Sequence, residues 1–167
     1  LVGSEMCIRD RLYEGLFRLD LQLEPQLWLC RSYSYDPATF TYTFTLRSGV
    51  TFSDGSALTA ADVAATLQRA RTSQRYGARL AQVAAVSAGD GVVYVRLSSA
   101  NTGFPALLDI PIVKSGTETS LTPVGTGPYQ VSSDEEGVCL TAHTGWWAGA
   151  SLPVDRIGLS SARDRET

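Results

Sequence analysis

Residues Tyr42 to Asp62 read YTFTLRSGVTFSDGSALTAAD, and the alternation within them decides the kind of chain this is. Tyr42, Phe44 and Leu46 fall on one face of an extended segment, with Thr43, Thr45 and Arg47 on the other. That is a period of two in residue types that suit a pleated, half-buried surface. Ser48-Gly49 has the composition of a tight turn, Val50 and Phe52 resume the alternation, and Ser53-Asp54-Gly55 closes the unit. Thr59 precedes Asp62 by three residues. Its hydroxyl suits an orphan amide of a first helical turn, where the Asp62 carboxylate also meets the positive end of the helix dipole. The stretch therefore predicts strand, turn, strand, turn and capped helix, an arrangement open to any α+β domain.

Around this unit the composition narrows the class. The 167 residues are 44% hydrophobic and 19% charged, enough apolar content for a packed core and too much for a disordered chain. No apolar run approaches the length of a membrane span. The formal charge is −3, and Lys114 is the single lysine among 14 basic residues. The arginines are scattered, whereas a nucleic-acid surface needs a basic patch. Cys7, Cys30 and Cys139 have no CxxC spacing and only His143 for company, so no zinc set and no other metal site emerges. The sequence favours separate buried thiols over a Cys30–Cys139 disulfide.

Further strands and helices follow from the same rules. Val63, Leu67 and Ala70 make one stripe of a helix after the Thr59 cap, with Gln68 and Arg69 outward. Val83, Ala85 and Ser87 alternate weakly before the Gly89-Asp90-Gly91 turn, and Val93, Val95 and Leu97 form the return strand. Pro105 opens a short helix within Phe104 to Leu108. Tyr129–Ser132 and Val138–Ala142 predict a hairpin whose tip, residues 133–137, carries Asp134, Glu135 and Glu136. Clustered carboxylates at a turn are most simply a solvated tip. Tyr13, Leu16 and Phe17 have helical spacing, although Gly15 favours a short turn over a long helix.

The string from Thr43 to Val63 resembles "TFTLRxGVxFxDGxxLTAxDV", a signature of family 5 extracellular solute-binding proteins, the peptide-, nickel- and oligosaccharide-binding receptors of ABC importers. The likeness continues in Leu12–Asp20 (LYEGLFRLD), in Phe104–Leu108, in Ile110–Val113, where it implies a strand, in Pro123–Tyr129 (PVGTGPY), in His143–Gly149 (HTGWWAG) and in Pro153–Ile157. PVGTGPY is the most specific short motif, and it is not a phosphate loop, since neither GxGxxG nor GxxxxGK[ST] is present.

The resemblance implies an α+β fold, part of lobe I of a two-lobed type II periplasmic-binding-protein architecture. Residues 1–11 match nothing in the family and read as a non-native, linker-like leader. Residues 12–113 correspond to an accessory subdomain of lobe I, and residues 114–167 to an incomplete return into lobe I, with lobe II absent. The implied protein captures peptides or similar small solutes outside the cytoplasm, at the periplasm or a lipid-anchored surface, and docks on an ABC permease without a cofactor. No export signal occurs in this sequence. Relatives use an aromatic in the loop after the capped helix to touch ligand. Tyr76 occupies that loop, and Arg75 beside it would pair with an acidic ligand group.

Two other classes compete. A sensing domain of the same fold could serve a regulator, and upstream sequence would separate it from a transport receptor. A hydrolase lacks support, because no SxxK, GxSxG or HExxH pattern occurs and His143 has no nucleophile partner in sequence.

Overall fold

The computed structural model describes residues 8–149 and 152–159. Cys7, most of the linker-like leader and residues 160–167 of the return segment lie outside the described residues.

Alternation along Thr41–Leu46 produces strand β4, in which Tyr42, Phe44 and Leu46 are buried. Its partners are β3 (Cys30–Asp36) on one edge and β6 (Val92–Leu97) on the other, with Phe44 opposite Tyr33 and Val93. Strand β5 (Val83–Ala88) completes an antiparallel sheet in the order β3-β4-β6-β5. Gly91, at φ +66, makes the β5–β6 turn, a left-handed position at which a side chain would be strained. A register shift between Val83 and Ala85 corrects the weak alternation read from sequence, so that Val83 and Val86 reach the core while Ser87 is exposed.

The second strand expected at Val50–Phe52 does not pair with β4, because both edges of β4 are already occupied. Val50 and Phe52 are buried, but their backbone is held by local bonds, Leu58 N–H to Val50 O at 3.0 Å and Phe52 N–H to Ser56 O at 2.8 Å. The only ladder contact in this segment is the bridge between Thr51 and Ala57. Helix α1 (Ala60–Ala70) then starts as predicted. The Thr59 hydroxyl accepts from Asp62 N–H, and the Asp62 carboxylate accepts from Thr59 N–H, a reciprocal capping box. Its buried face, with Val63, Leu67 and Ala70, joins β4, β5 and β6 in one core.

Three further expectations change in detail. Residues 8–12 make the helical turn, and the chain is already extended by β1 (Phe17–Leu19), which pairs antiparallel with β2 (Pro25–Leu27). Tertiary contact overrides the helical spacing at Tyr13, Leu16 and Phe17. A Cβ on Gly15 would stand 3.0 Å from Ile110 O, and Phe17 N–H donates to Leu108 O. The segment opened by Pro105 is a single 3-10 turn, Phe104–Leu107. Ile110 and Ile112 are buried, but residues 110–113 join no ladder. Ile112 N–H donates to Glu14 O, and Val113 N–H donates to the Thr66 hydroxyl.

The hairpin β7 (Tyr129–Asp134) and β8 (Gly137–Ala142) forms as read, and β9 (Arg156–Gly158) adds to β8. Arg156 lies 2.6 Å from Asp134 and 3.1 Å from Glu136, so the acidic tip is a solvated ion-pair cluster. Leu12, Tyr129 and Leu140 form a second, smaller apolar cluster beneath this sheet. Cys30 and Cys139 are separate buried thiols. Burial pushes the Cys30 thiol up to about 11, which keeps it protonated and unreactive.

Candidate functional site

A cleft of about 630 Å3 opens beside the first segment of the chain. Tyr13, Phe17, Arg18, Leu23 and Trp28 line it on one side, Arg75, Tyr76 and Arg79 on another, and Asp109, Pro128 and Trp146 elsewhere. Both residues singled out from sequence, Tyr76 and Arg75, therefore face the same space.

The loop carrying them is built by successive turns. After α1, Ser73 caps the chain, its hydroxyl donating to Ala70 O at 2.9 Å and accepting from Tyr76 N–H at 3.0 Å. Gly77 N–H donates to Ser73 O, and a Cβ at Gly77 would lie 2.6 Å from that oxygen. These bonds fix Tyr76, which is half-buried, with Arg75 and Arg79 at 5.6 and 5.3 Å from its ring centroid. The Tyr76 hydroxyl accepts from Arg9 at 3.1 Å. Arg79 is paired with Asp109 at 2.6 Å. No carboxylate among the described residues lies within ion-pair distance of Arg75 or Arg18. Arg18 instead stands over the Trp28 ring at 4.9 Å. The cleft thus joins aromatic faces to two guanidinium groups, Arg18 and Arg75, that have no carboxylate partner among the described residues, although Asp10, Glu14 and Asp20 also line it. These two can meet a solute's acidic group.

The apolar spacing of Tyr13, Leu16 and Phe17 gives no sign of the group that stands between them. Glu14 is buried, yet its carboxylate lines the cleft. One oxygen, Oε1, accepts from the Thr126 hydroxyl and the Trp147 indole, both at 2.9 Å. The other, Oε2, accepts from Trp28 at 2.5 Å and Trp146 at 3.3 Å. Four donors thus meet the acceptor sites of one carboxylate, which offsets its burial, and no cation among the described residues lies within ion-pair distance of it. Only the charge of Glu14 between Tyr13 and Gly15 was visible locally. Its donors lie 14 to 133 residues away.

PVGTGPY acquires a physical reading here. A Cβ at Gly125 would lie 2.2 Å from Leu12 O, and one at Gly127 would lie 2.5 Å from Arg11 O. The motif passes directly under residues 11–14 and delivers Thr126 to Glu14. Its Gly127 O also meets His143 Nδ1 at 3.1 Å, while His143 Nε2 lies 3.4 Å from the Thr51 hydroxyl. His143 is buried and does not line the cleft. Among the described residues no group of three or more His, Cys, Asp or Glu could hold a metal ion.

The family model of bacterial extracellular solute-binding proteins, family 5 Middle, matches residues 24–167. The chain belongs to this family. The glutathione-binding protein GsiB of Salmonella paratyphi A is 31% identical over 175 residues, covering 96% of this chain and 34% of the relative. The chain therefore spans about a third of the length of the curated relatives it matches. Among solved structures, MoaA of A. tumefacien R10 with mannopinic acid superposes at a TM-score of 0.77 and 26% identity, over 87% of this chain and 34% of that one. The oligopeptide-binding protein AppA of Bacillus subtilis, in complex with a nonapeptide, gives 0.73 at 24% identity, over 87% and 33%. The fold is accordingly part of the type II periplasmic-binding-protein architecture, with antiparallel sheets and few helices.

Proposed function

We propose that this chain supplies one wall of the ligand cleft of an extracytoplasmic solute receptor, and that the receptor delivers a peptide-like or other small acidic solute to the permease of an ABC importer. The observation that carries the reading is the open cleft of aromatic and arginine side chains around Tyr76, in a chain of a solute-binding family. Tyr76 offers a ring face to the solute, and Arg75 offers a counter-charge to its acidic group. Residues 12–113 act as an accessory subdomain of lobe I, and residues 114–167 return the chain into that lobe. The buried residues of the apolar cluster around Phe44 all fall within 16–112, which supports such a division, while Leu12 joins Tyr129 and Leu140 in the second cluster.

The function is capture rather than chemistry. A solute between two lobes favours their closed arrangement only by its higher affinity for that arrangement. The permease and its ATPase subunits then supply transport. The names of the relatives, a glutathione-binding protein and an oligopeptide-binding protein, agree with a peptide-like cargo.

An NMR titration of the 167-residue chain with glutathione and with the dipeptide Gly-Asp tests this. Saturable shifts should centre on residues 75–79 and 109–111, weaken when the peptide carboxyls are amidated, and weaken again in Tyr76→Ala. Shifts confined to other surfaces, or none at millimolar peptide, overturn the reading.

A further inference from the structure

We propose that Glu14 is a positioning residue for ligand capture, setting the tryptophan wall of the cleft by holding every indole N–H of the protein on one buried carboxylate. The proposal rests on the cleft being the solute site, as argued above, and adds a subsite for an apolar side chain beside the acidic-group subsite at Arg75.

The sequence has three tryptophans, and the structure spends the single N–H donor of each on Glu14. An indole has no other polar atom, so fixing that bond fixes the direction in which the ring presents its faces. Trp28 packs edge-on to Trp147 with ring centroids 5.2 Å apart, and Trp146 lies at 6.3 Å from Trp147. Trp28 and Trp146 form part of the cleft surface, while Trp147 packs on the main core. Arg47 holds the inner end of the group, with its guanidinium 4.7 Å from the Trp147 ring and its Nε donating to Trp28 O. The result is an aromatic surface of the cleft, from Trp28 and Trp146 braced edge-on by Trp147, whose indole N–H groups all turn inward while Arg18 stands over the Trp28 ring. Such a wall adds affinity for an aliphatic or aromatic side chain and none for glycine.

A carboxylate serving stability alone would have no reason to gather its donors under a solvent-open cleft. A Leu or Met at position 14 alone would orphan four donors, and only replacing the donors as well could come near neutral, so the carboxylate and the groups around it act as one unit. Glu14 thereby ties ring orientation in the cleft to the docking of Thr126 and Trp146-Trp147, segments more than a hundred residues away.

The decisive variant is Glu14→Gln, which keeps the shape but replaces one acceptor oxygen with an NH2 group that cannot accept. Excited at the red edge, beyond tyrosine absorption, the chain emits from these three indoles, so its fluorescence reports the cluster without a label. The variant should show red-shifted emission and stronger acrylamide quenching at unchanged far-UV circular dichroism. Its preference for Leu-Asp over Gly-Asp should fall about tenfold, with Gly-Asp affinity kept. Native emission together with an unchanged preference in a folded Glu14→Gln chain overturns the proposal. Should that variant not fold, Trp146→Phe keeps a ring while losing its bond to Glu14, and the same loss of preference is expected. An unaltered preference there is equally fatal. If neither dipeptide binds the wild-type chain, the cleft reading itself has failed, and the role in capture falls with it. If both bind the wild type equally, only the tryptophan subsite is lost.

Discussion

The Thr126 hydroxyl donates to Glu14 Oε1 at 2.9 Å across 112 residues of sequence, and both side chains are buried. Thr126→Val keeps the shape of the side chain and removes the donor, leaving a buried carboxylate oxygen one bond short. The expected cost is about 1–3 kcal/mol, the range for a buried polar group deprived of its partner. Thr126→Ser keeps the hydroxyl and should recover most of that loss. Urea midpoints of the two variants against the wild type decide the matter, and equal midpoints for Val and Ser would remove the bond from the account.

The glycines on either side of Thr126 make a sharper claim. At Gly125 an added Cβ meets Leu12 O and the Tyr13 ring at 2.2 and 2.5 Å, so backbone has to move. Overpacking of this kind costs about 1–3 kcal/mol, and more where the obstacle is backbone rather than a flexible side chain. Gly103→Ala provides the contrast. Gly103 has φ −92 and its nearest neighbour to a Cβ is Asn101 Oδ1 at 3.5 Å. Thermal unfolding should separate Gly125→Ala from a near-neutral Gly103→Ala.

Acid stability has a visible contributor. The Lys114 ammonium lies 2.5 Å from Asp54 Oδ2, and the Ser56 hydroxyl and amide bond to Oδ1. These contacts, the lysine bond first, lower the Asp54 carboxyl from 3.8 to about 2. A folded-state value below the unfolded one stabilises above the unfolded pKa and is lost as pH falls through the folded one. The contribution should therefore fade between about pH 4 and pH 2. Asp36, held down by the Ala38 amide and the Thr39 hydroxyl, titrates lower in the same sense. Lys114→Met should flatten the acid limb of stability against pH by lowering the neutral value toward the acid one, and the drop should be small because the pair is a third exposed and solvent-screened. An acid limb of the same slope in Lys114→Met would assign the effect elsewhere.

What the sequence disclosed follows from how local each determinant is. The hairpins β5–β6 and β7–β8 were legible because the turn and alternation of each are contiguous in sequence, within 83–97 and 129–142. The cap at Thr59 was legible because its two bonds span three residues. Strand β4 was legible as a strand but not in its pairing. The Ser48-Gly49 turn favoured Val50–Phe52 as neighbour, whereas β6, some fifty residues on, takes that edge. Tyr76 and Arg75 were reached through a resemblance, since a tyrosine in a polar loop carries no pattern of its own. The Glu14 cluster was invisible for the opposite reason. Five side chains from four separate segments contribute to it, and no window of sequence contains more than two of them.

One residue of the cleft rim is held against its own preference, and relieving it should stabilise the chain. Leu23 has φ 63, in the left-handed region that costs a side-chain-bearing residue roughly 1–2 kcal/mol. It is 71% exposed, so little packing offsets that cost. The turn is imposed by Asp20, whose Oδ1 accepts from the amides of Gln22 and Glu24 at 2.9 Å and whose Oδ2 accepts from the Gln26 side chain at 3.0 Å. Leu23 N–H closes the turn on Asp20 O. Leu23→Gly removes the clash but adds freedom to the unfolded chain, worth about 0.5–1 kcal/mol in the other direction. A net gain of roughly 0.5 kcal/mol is expected from the difference between those terms. Leu23→Asn suffers less of the entropic loss and should gain at least as much, since Asn tolerates this region. Urea midpoints measure both. A fall in each would mean that the leucine side chain contributes packing at the rim of the cleft that outweighs its backbone strain.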